Sequence, residues 1–186
     1  MTKVDFYTGV EDKLRTACKL SHKVIESGMR VQLYSPDEAT TQALDALLWS
    51  YPTTAFLPHC RSDEKDASEM SVVLAHPQKN STVGKSSAPG ENSVLDENFM
   101  HSETFPHNEV LISLHSTCLP FFSRFERVIE IVGLDAADTH AGRERFSFYR
   151  DRGYEMRHFD LRPQLAQKMA VHPKVVQMDS NQKNST

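Results

Sequence analysis

The first third of the chain alternates between short β-branched runs and longer stretches with helical spacing. Residues 3–7 and 30–34 are rich in β-branched and aromatic residues and predict strands. Residues 10–27 place apolar side chains near a period of about 3.6 residues and predict a helix. A second helix is predicted to start at Ser35, which is followed by proline and then by Glu38 in the spacing of a capping box. Strand, helix, strand, helix in this order predicts an α/β fold with parallel strand pairing.

The second half of the chain resumes this alternation after a polar interruption. Residues 76–108 are dominated by Ser, Asn, Lys, Pro and Gly, and long structureless loops are uncommon inside compact domains, so we expect a disordered insertion. The chain becomes polar again towards its end. We therefore expect one α/β domain over 1–161 and a C-terminal extension over 162–186 whose end is disordered. The remaining predicted elements are strands at 71–75, 109–114, 127–132 and 157–161, a short helix at 119–125 and a long helix at 135–152.

Composition and charge argue against several classes of protein. The 186 residues contain 21 Lys plus Arg against 25 Asp plus Glu, a formal charge of −4, which excludes a bulk-cationic surface for nucleic acid. If the protein acts on DNA or RNA, we expect it to bind through a local basic patch or through a partner protein. No apolar run approaches the length of a membrane span, and the first residues lack the layout of a secretory signal. The three separated cysteines favour reduced thiols in a cytoplasm.

Motifs for catalysis are missing from the sequence. There is no GxGxxG, GxxxxGK[ST], HExxH or GxSxG, and the seven glycines are scattered, so neither predicted βα turn carries a phosphate-binding loop. The nine histidines lack metal-ligand spacing. We therefore expect no metal, no cofactor and no catalytic residue. The alternative is a small α/β enzyme acting on a nucleotide or phosphoester, with His59 or His115 near the strand ends.

An aromatic segment follows the second predicted helix. Trp49 closes that helix and leads into a proline-bracketed loop bearing Phe56. Two interpretations remain open: the loop folds back over the helix end, or the aromatic residues anchor a partner, as exposed Trp, Tyr and Phe on loops often do.

The last long helix carries a basic and aromatic face. At about 100° per residue, Phe148 and Tyr149 turn towards a side that a sheet can bury. The opposite face is formed by Arg143, Phe146, Ser147 and Arg150. Arginine holds carboxylates with a planar fork, so this face suits an acidic, apolar ligand such as a peptide C-terminal carboxylate beside an aromatic residue. The alternative is a solvated face with internal Arg–Glu pairs.

Several motifs together resemble the chi subunit family of bacterial DNA polymerase III. They are FYT near the start, SPDEATTQALDALLWSYPTTAFLPH, EVLISL and GRERFSFYRDRGYEM, and the resemblance covers residues 3–75 and 109–161. It implies a non-catalytic accessory protein with a three-layer Rossmann-like fold. The central sheet is expected to be mostly parallel and nucleotide-binding-like, without a phosphate loop.

The resemblance also implies partners. Chi proteins pair with the psi subunit, which ties them to the clamp loader, and Trp49 and Phe56 match the segment that meets psi or alternatively a helicase. Chi proteins also bind the acidic C-terminal tail of single-stranded-DNA-binding protein, which ends in an apolar residue and Phe. This implies DNA contact that is mainly indirect, no membrane partner, and a place in the bacterial cytoplasm at replication forks.

The family's tail-binding positions transfer to the last long helix. The tail-binding arginine falls on Arg143, the following aromatic on Phe146, and the arginine of the next turn on Arg150. Some relatives have lysine where this chain has Ser147, and another basic position is Thr139 here. Both departures weaken the positive field, so the tail is expected either to bind more loosely or to depend on two further arginines. These are Arg152 and Arg157.

Overall fold

The computed structural model describes residues 2–50, 57–77 and 105–163, which form a seven-stranded, wholly parallel sheet with three α-helices. The strands are β1 (Lys3–Val10), β2 (Val31–Tyr34), β3 (His59–Arg61), β4 (Val72–Ala75), β5 (Val110–Ser113), β6 (Arg127–Gly133) and β7 (Glu155–Asp160). The helices are α1 (Lys13–Glu26), α2 (Glu38–Ser50) and α3 (Ala136–Asp151), with a 3₁₀ turn at Phe122–Arg124. The strand order is β3-β4-β2-β5-β6-β1-β7. None of these helices has the length and apolar character needed to cross a membrane.

The helices cover the two faces of the sheet unequally. Leu33 of β2 belongs to the same core cluster as Leu44 of α2 and several residues of α1. On the other face, Phe6 of β1 shares a cluster with Tyr149 of α3. Helices α1 and α2 therefore lie on one side and α3 on the other, which confirms the predicted three-layer α/β fold.

The start of α2 differs from the sequence prediction. Asp37, rather than Ser35, caps the helix, because its Oδ1 accepts a hydrogen bond from the Thr40 N–H at 2.7 Å. The hydroxyl of Ser35 is buried and lies 2.6 Å from Thr41 Oγ1 and 3.2 Å from the Ala75 carbonyl. Ser35 therefore joins the end of β2 to β4 instead of starting the helix, and the N-cap prediction was wrong.

The edges of the sheet were only partly predicted. The expected edge strand near the C-terminus is present as β7, which pairs with β1. Strand β3 was missed, because the prolines around it suggested a loop; it pairs with β4 from His59 to Arg61.

Several predicted regions lie outside the described residues. These include Phe56, most of the insertion predicted at 76–108 and nearly all of the extension at 162–186. At the end of the predicted insertion, the Phe105 ring lies 4.7 Å from that of Phe121, and His107 Nε2 lies 2.7 Å from the Met70 carbonyl oxygen. The packed fold thus includes Phe105 and His107, which the prediction had assigned to the insertion.

Candidate functional site

A cavity of about 360 Å³ lies between α3 and the carboxyl-terminal halves of β1, β6 and β7. Its apolar lining comes from Phe6, Val132, Leu134 and Phe146, and the side chain of Leu134 is largely exposed at the surface. A cavity of this size with a mainly apolar lining is typical of ligand sites. The carboxyl edge of a parallel sheet is also where ligands usually bind in open α/β folds.

A glycine allows α3 to approach the sheet closely enough to form the cavity wall. A Cβ atom at Gly142 would lie 2.8 Å from both methyl carbons of Val132 on β6, closer than real Cβ contacts. The helix itself begins after Asp135, whose Oδ1 accepts a hydrogen bond from the Asp138 N–H at 2.8 Å. Together these features set where the middle of α3 lies against β6.

Two residues of the predicted basic and aromatic face line this cavity. The Phe146 ring packs edge-to-face on Phe6 with 5.2 Å between centroids, and Arg143 lies exposed one turn before it. Among the described residues, the Arg143 guanidinium forms no hydrogen bond and no ion pair. Ser147 and Arg150 are not among the lining residues, and Arg150 Nη2 instead lies 3.0 Å from Asp151 Oδ1. The structure therefore brings together Arg143 and Phe146 but not the whole predicted set.

Arg145, two residues after Arg143, has a different role that the sequence did not reveal. It is 2% exposed, and its Nε donates to Glu130 Oε2 on β6 at 3.0 Å. The Tyr149 hydroxyl donates to the other oxygen of Glu130 at 2.8 Å, and Arg145 Nη1 donates to the Ser116 carbonyl at 2.7 Å. Burial raises the pKa of Glu130, while the charge of Arg145 and the bond from Tyr149 oppose that rise. This Arg–Glu pair ties α3 to the sheet, whereas Arg143 is exposed beside the cavity.

The start of α3 is joined to the opposite side of the sheet by a second ion pair. Asp138 Oδ2 accepts from Lys13 Nζ of α1 at 2.8 Å and from the Gly133 N–H at 2.7 Å. Burial by itself would raise the pKa of Asp138, but these hydrogen bonds and the Lys13 charge lower it overall. A carboxylate in the first turn also interacts favourably with the helix dipole. Charge-assisted hydrogen bonds thus fix the first turn of α3, the helix that forms one wall of the cavity.

An exposed aromatic residue marks a second surface. Trp49, at the end of α2, is 64% exposed, and its ring lies edge-to-face on His59 with 5.1 Å between centroids. Residues 51–56 of the loop after Trp49 lie outside the described residues, so both interpretations of that loop stay predictions. Phe56, predicted beside it, lies outside the described residues. Because α2 and α3 lie on opposite faces of the sheet, Trp49 and the cavity are separate surfaces.

The histidines considered for catalysis are held by local contacts. His59 is buried with Nδ1 2.6 Å from the Leu57 carbonyl oxygen, and His115 Nδ1 lies 2.9 Å from Thr117 Oγ1. Burial, together with the nearby Arg145 charge, lowers the pKa of His115. Within residues 2–50, 57–77 and 105–163, no three His, Cys, Asp or Glu side chains converge as metal ligands.

The cysteine thiols are poor nucleophiles at neutral pH. Burial raises the pKa of Cys18, Cys60 and Cys118 to about 11 in each case, so the thiolate is scarce. All three are free of disulfide bonds.

Comparison with known proteins adds a family match. The family described as DNA polymerase III chi subunit, HolC, matches residues 1–157. The DNA polymerase III subunit chi of Pseudomonas aeruginosa (strain PAO1) is 31% identical over 160 residues, which cover 84% of this chain and 94% of that protein. The DNA polymerase III subunit chi of Escherichia coli (strain K12) is 26% identical over 155 residues, or 83% of this chain and 88% of that protein.

Proposed function

Because the chain belongs to the DNA polymerase III chi subunit family, we propose that it links the clamp loader, through psi, to the acidic C-terminal tail of single-stranded-DNA-binding protein. Membership in this family implies a role in DNA replication within the DNA polymerase III holoenzyme. We place the protein in the bacterial cytoplasm at replication forks, with contact to DNA that is mainly indirect.

The α3 cavity is the observation that carries the tail-binding proposal. It offers an apolar floor that includes Phe6 and Phe146, with the exposed guanidinium of Arg143 at its border. A peptide that ends in Phe presents an aromatic ring next to its terminal carboxylate. Burial of that ring is favourable, and an arginine fork matches the carboxylate, so the cavity suits both groups at once. Ser147 and Arg150 lie farther along α3, where acidic residues upstream of the terminus are expected to pass.

The Trp49 surface is proposed as the psi or helicase contact. An exposed tryptophan at a helix end is typical of residues that dominate the energy of protein interfaces. Phe56, seven residues later, is proposed to belong to the same contact. Since this surface lies across the sheet from the α3 cavity, psi and the tail are expected to bind at the same time.

The second candidate, a nucleotide or phosphoester enzyme, has less support. His59 is buried with Nδ1 against the Leu57 carbonyl oxygen, and His115 Nδ1 contacts both the backbone N–H and the hydroxyl of Thr117, so both side chains have local structural roles. A titration with nucleotides discriminates the two functions. Saturable binding, with turnover that survives purification and is lost on changing His59 or His115, would favour the enzyme.

The direct test of the proposal is calorimetry with a peptide copying the acidic tail. We expect saturable binding by the wild-type chain, weaker binding of a peptide that lacks the terminal Phe, and roughly ten-fold to a hundred-fold weaker binding by Arg143→Ala. Arg15→Ala is the matched control, because Arg15 is also exposed but lies on α1, across the sheet. Absence of binding by the wild-type chain would overturn tail recognition. Equal affinity for wild type and Arg143→Ala would remove α3 from the site.

A further inference from the structure

The cavity contains a second cation that comes from outside α3. Two α3 positions that the resemblance expects to be basic are Thr139 and Ser147 here, and Thr139 lines the cavity without a charge. Inside the cavity, an acidic peptide would then meet a single cation, Arg143, if α3 alone supplied the charge. The lining also includes Arg162, which follows β7 and lies beyond the residues 1–157 that match the family.

The two arginines expected from the sequence to compensate are engaged elsewhere. Arg152 lies over the Phe148 ring, with its guanidinium carbon 3.6 Å from the ring centroid. Arg157 donates two hydrogen bonds, of 2.7 and 3.0 Å, to the carboxylate of Asp5, which is fully buried. Neither lines the cavity among the described residues.

The backbone of β1 is shaped to accept the Arg162 side chain. Gly9 has a φ of +71°, a conformation that favours glycine, and the pairing of β1 with β6 shifts register between Tyr7 and Val10. A Cβ atom at Gly9 would overlap Arg162 Cγ and would lie 3.1 Å from its Cδ. The aliphatic part of Arg162 therefore lies directly on the bare backbone of β1 and forms part of the cavity wall.

The guanidinium of Arg162 is oriented by Asp160. Its Nε lies 2.9 Å from Asp160 Oδ1, and its Nη2 lies 2.6 Å from Oδ2. This arrangement uses two of the five N–H donors of an arginine and leaves three for a ligand. The bond also lowers the pKa of Asp160 to about 2, so the carboxylate that orients Arg162 stays ionised at neutral pH.

We propose that Arg162 is the second cation of the tail-binding cavity and recognises acidic groups of the peptide together with Arg143. This inference rests on the proposed tail-binding function. It goes beyond that function because it assigns part of the affinity for the peptide to a residue outside α3. Arg162 would supply the positive charge that is missing at Thr139 and Ser147.

The test is calorimetry of the full chain with the acidic tail peptide. Arg162→Gln keeps most of the aliphatic stem over Gly9 and removes the charge, and we expect it to weaken binding roughly three-fold to ten-fold. The effect is smaller than for Arg143→Ala because Arg162 is exposed and already paired with Asp160. Adding Thr139→Lys to Arg162→Gln should restore the affinity, since it returns a cation to the same cavity. Arg152→Ala is the matched control and should bind like wild type.

The outcomes separate the inference from the proposed function. Wild-type affinity for Arg162→Gln, with a loss for Arg143→Ala, would refute the role of Arg162 and leave tail binding in place. No binding by the wild-type chain would overturn the proposed function and the inference with it. A loss for Arg162→Gln with no rescue by Thr139→Lys would indicate that the side chain acts through cavity shape, and would overturn its role as a cation. A melting curve for each variant checks that it is folded.

Discussion

Replacing Arg145 with methionine should destabilise the fold without acting through the ligand site. Arg145 is almost fully buried, and it is the cationic partner of Glu130 at 3.0 Å. The substitution keeps much of the apolar stem but leaves the Glu130 carboxylate buried with only the Tyr149 hydroxyl as its remaining side-chain donor among the described residues. It also removes the 2.7 Å bond to the Ser116 carbonyl.

The expected loss of stability in Arg145→Met follows from the burial of the Arg145–Glu130 ion pair. Removing one partner of a buried ion pair typically costs about 3–5 kcal/mol, because the other charge stays uncompensated. We therefore expect Arg145→Met to lower the free energy of unfolding by about 3–5 kcal/mol. Replacing both partners, as Arg145→Met with Glu130→Gln, should recover at least half of that loss. No buried charge then remains, and Tyr149 still has an acceptor.

Urea unfolding followed by far-ultraviolet circular dichroism measures the free energy of unfolding of the single and the double variant. The comparison with wild type holds when the dependence of that free energy on urea concentration is unchanged. The matched control is Arg143→Ala, which should unfold like wild type because its side chain is exposed. A loss below about 1 kcal/mol for Arg145→Met would contradict the reasoning. So would a double variant as unstable as the sum of the two single variants.

Three further predictions concern the charge at the cavity, the second surface and acid stability. Arg143→Lys should restore only part of the tail affinity lost in Arg143→Ala, because an ammonium lacks the fork, and wild-type affinity should fall with added salt; calorimetry at two salt concentrations measures both. Trp49→Ala and Phe56→Ala should each weaken a psi complex by roughly ten-fold or more. Trp49→Ala should lower the melting temperature only slightly, since Trp49 is largely exposed although its ring contacts that of His59 edge-to-face, and unchanged psi affinity in both variants would exclude this surface. Asp138→Asn should lower the free energy of unfolding by roughly 1–2 kcal/mol at pH 7. The folded carboxylate has a lowered pKa, so its stabilisation is complete above the unfolded value of about 3.9 and is lost as pH falls through the folded value. Urea titrations at pH 7 and pH 3 should therefore give a smaller difference between wild type and Asp138→Asn at pH 3.

The fold class and the main elements could be predicted from the amino-acid sequence alone. Alternating strand and helix patterns predicted parallel α/β layers, and these patterns are local, so they could be read before any long-range contact was known. The helical spacing of Arg143 and Phe146 likewise predicted that both lie on one face of the last helix. That face borders the cavity.

The contacts across the sheet could not be predicted in this way, because they depend on how distant segments pack. A charge pattern on a helix normally indicates exposure, yet Arg145 is buried because Glu130, fifteen residues earlier, lies on the adjoining strand. The helical spacing does place Arg145 on the face of Tyr149, away from Arg143, but it cannot show that Glu130 supplies a buried partner. Arg162 joins the cavity only because β7 lies beside β1 and the bare backbone of Gly9 admits its side chain. Local periodicity is set by each element's own geometry, whereas these contacts depend on strand order, register and close approach between distant segments.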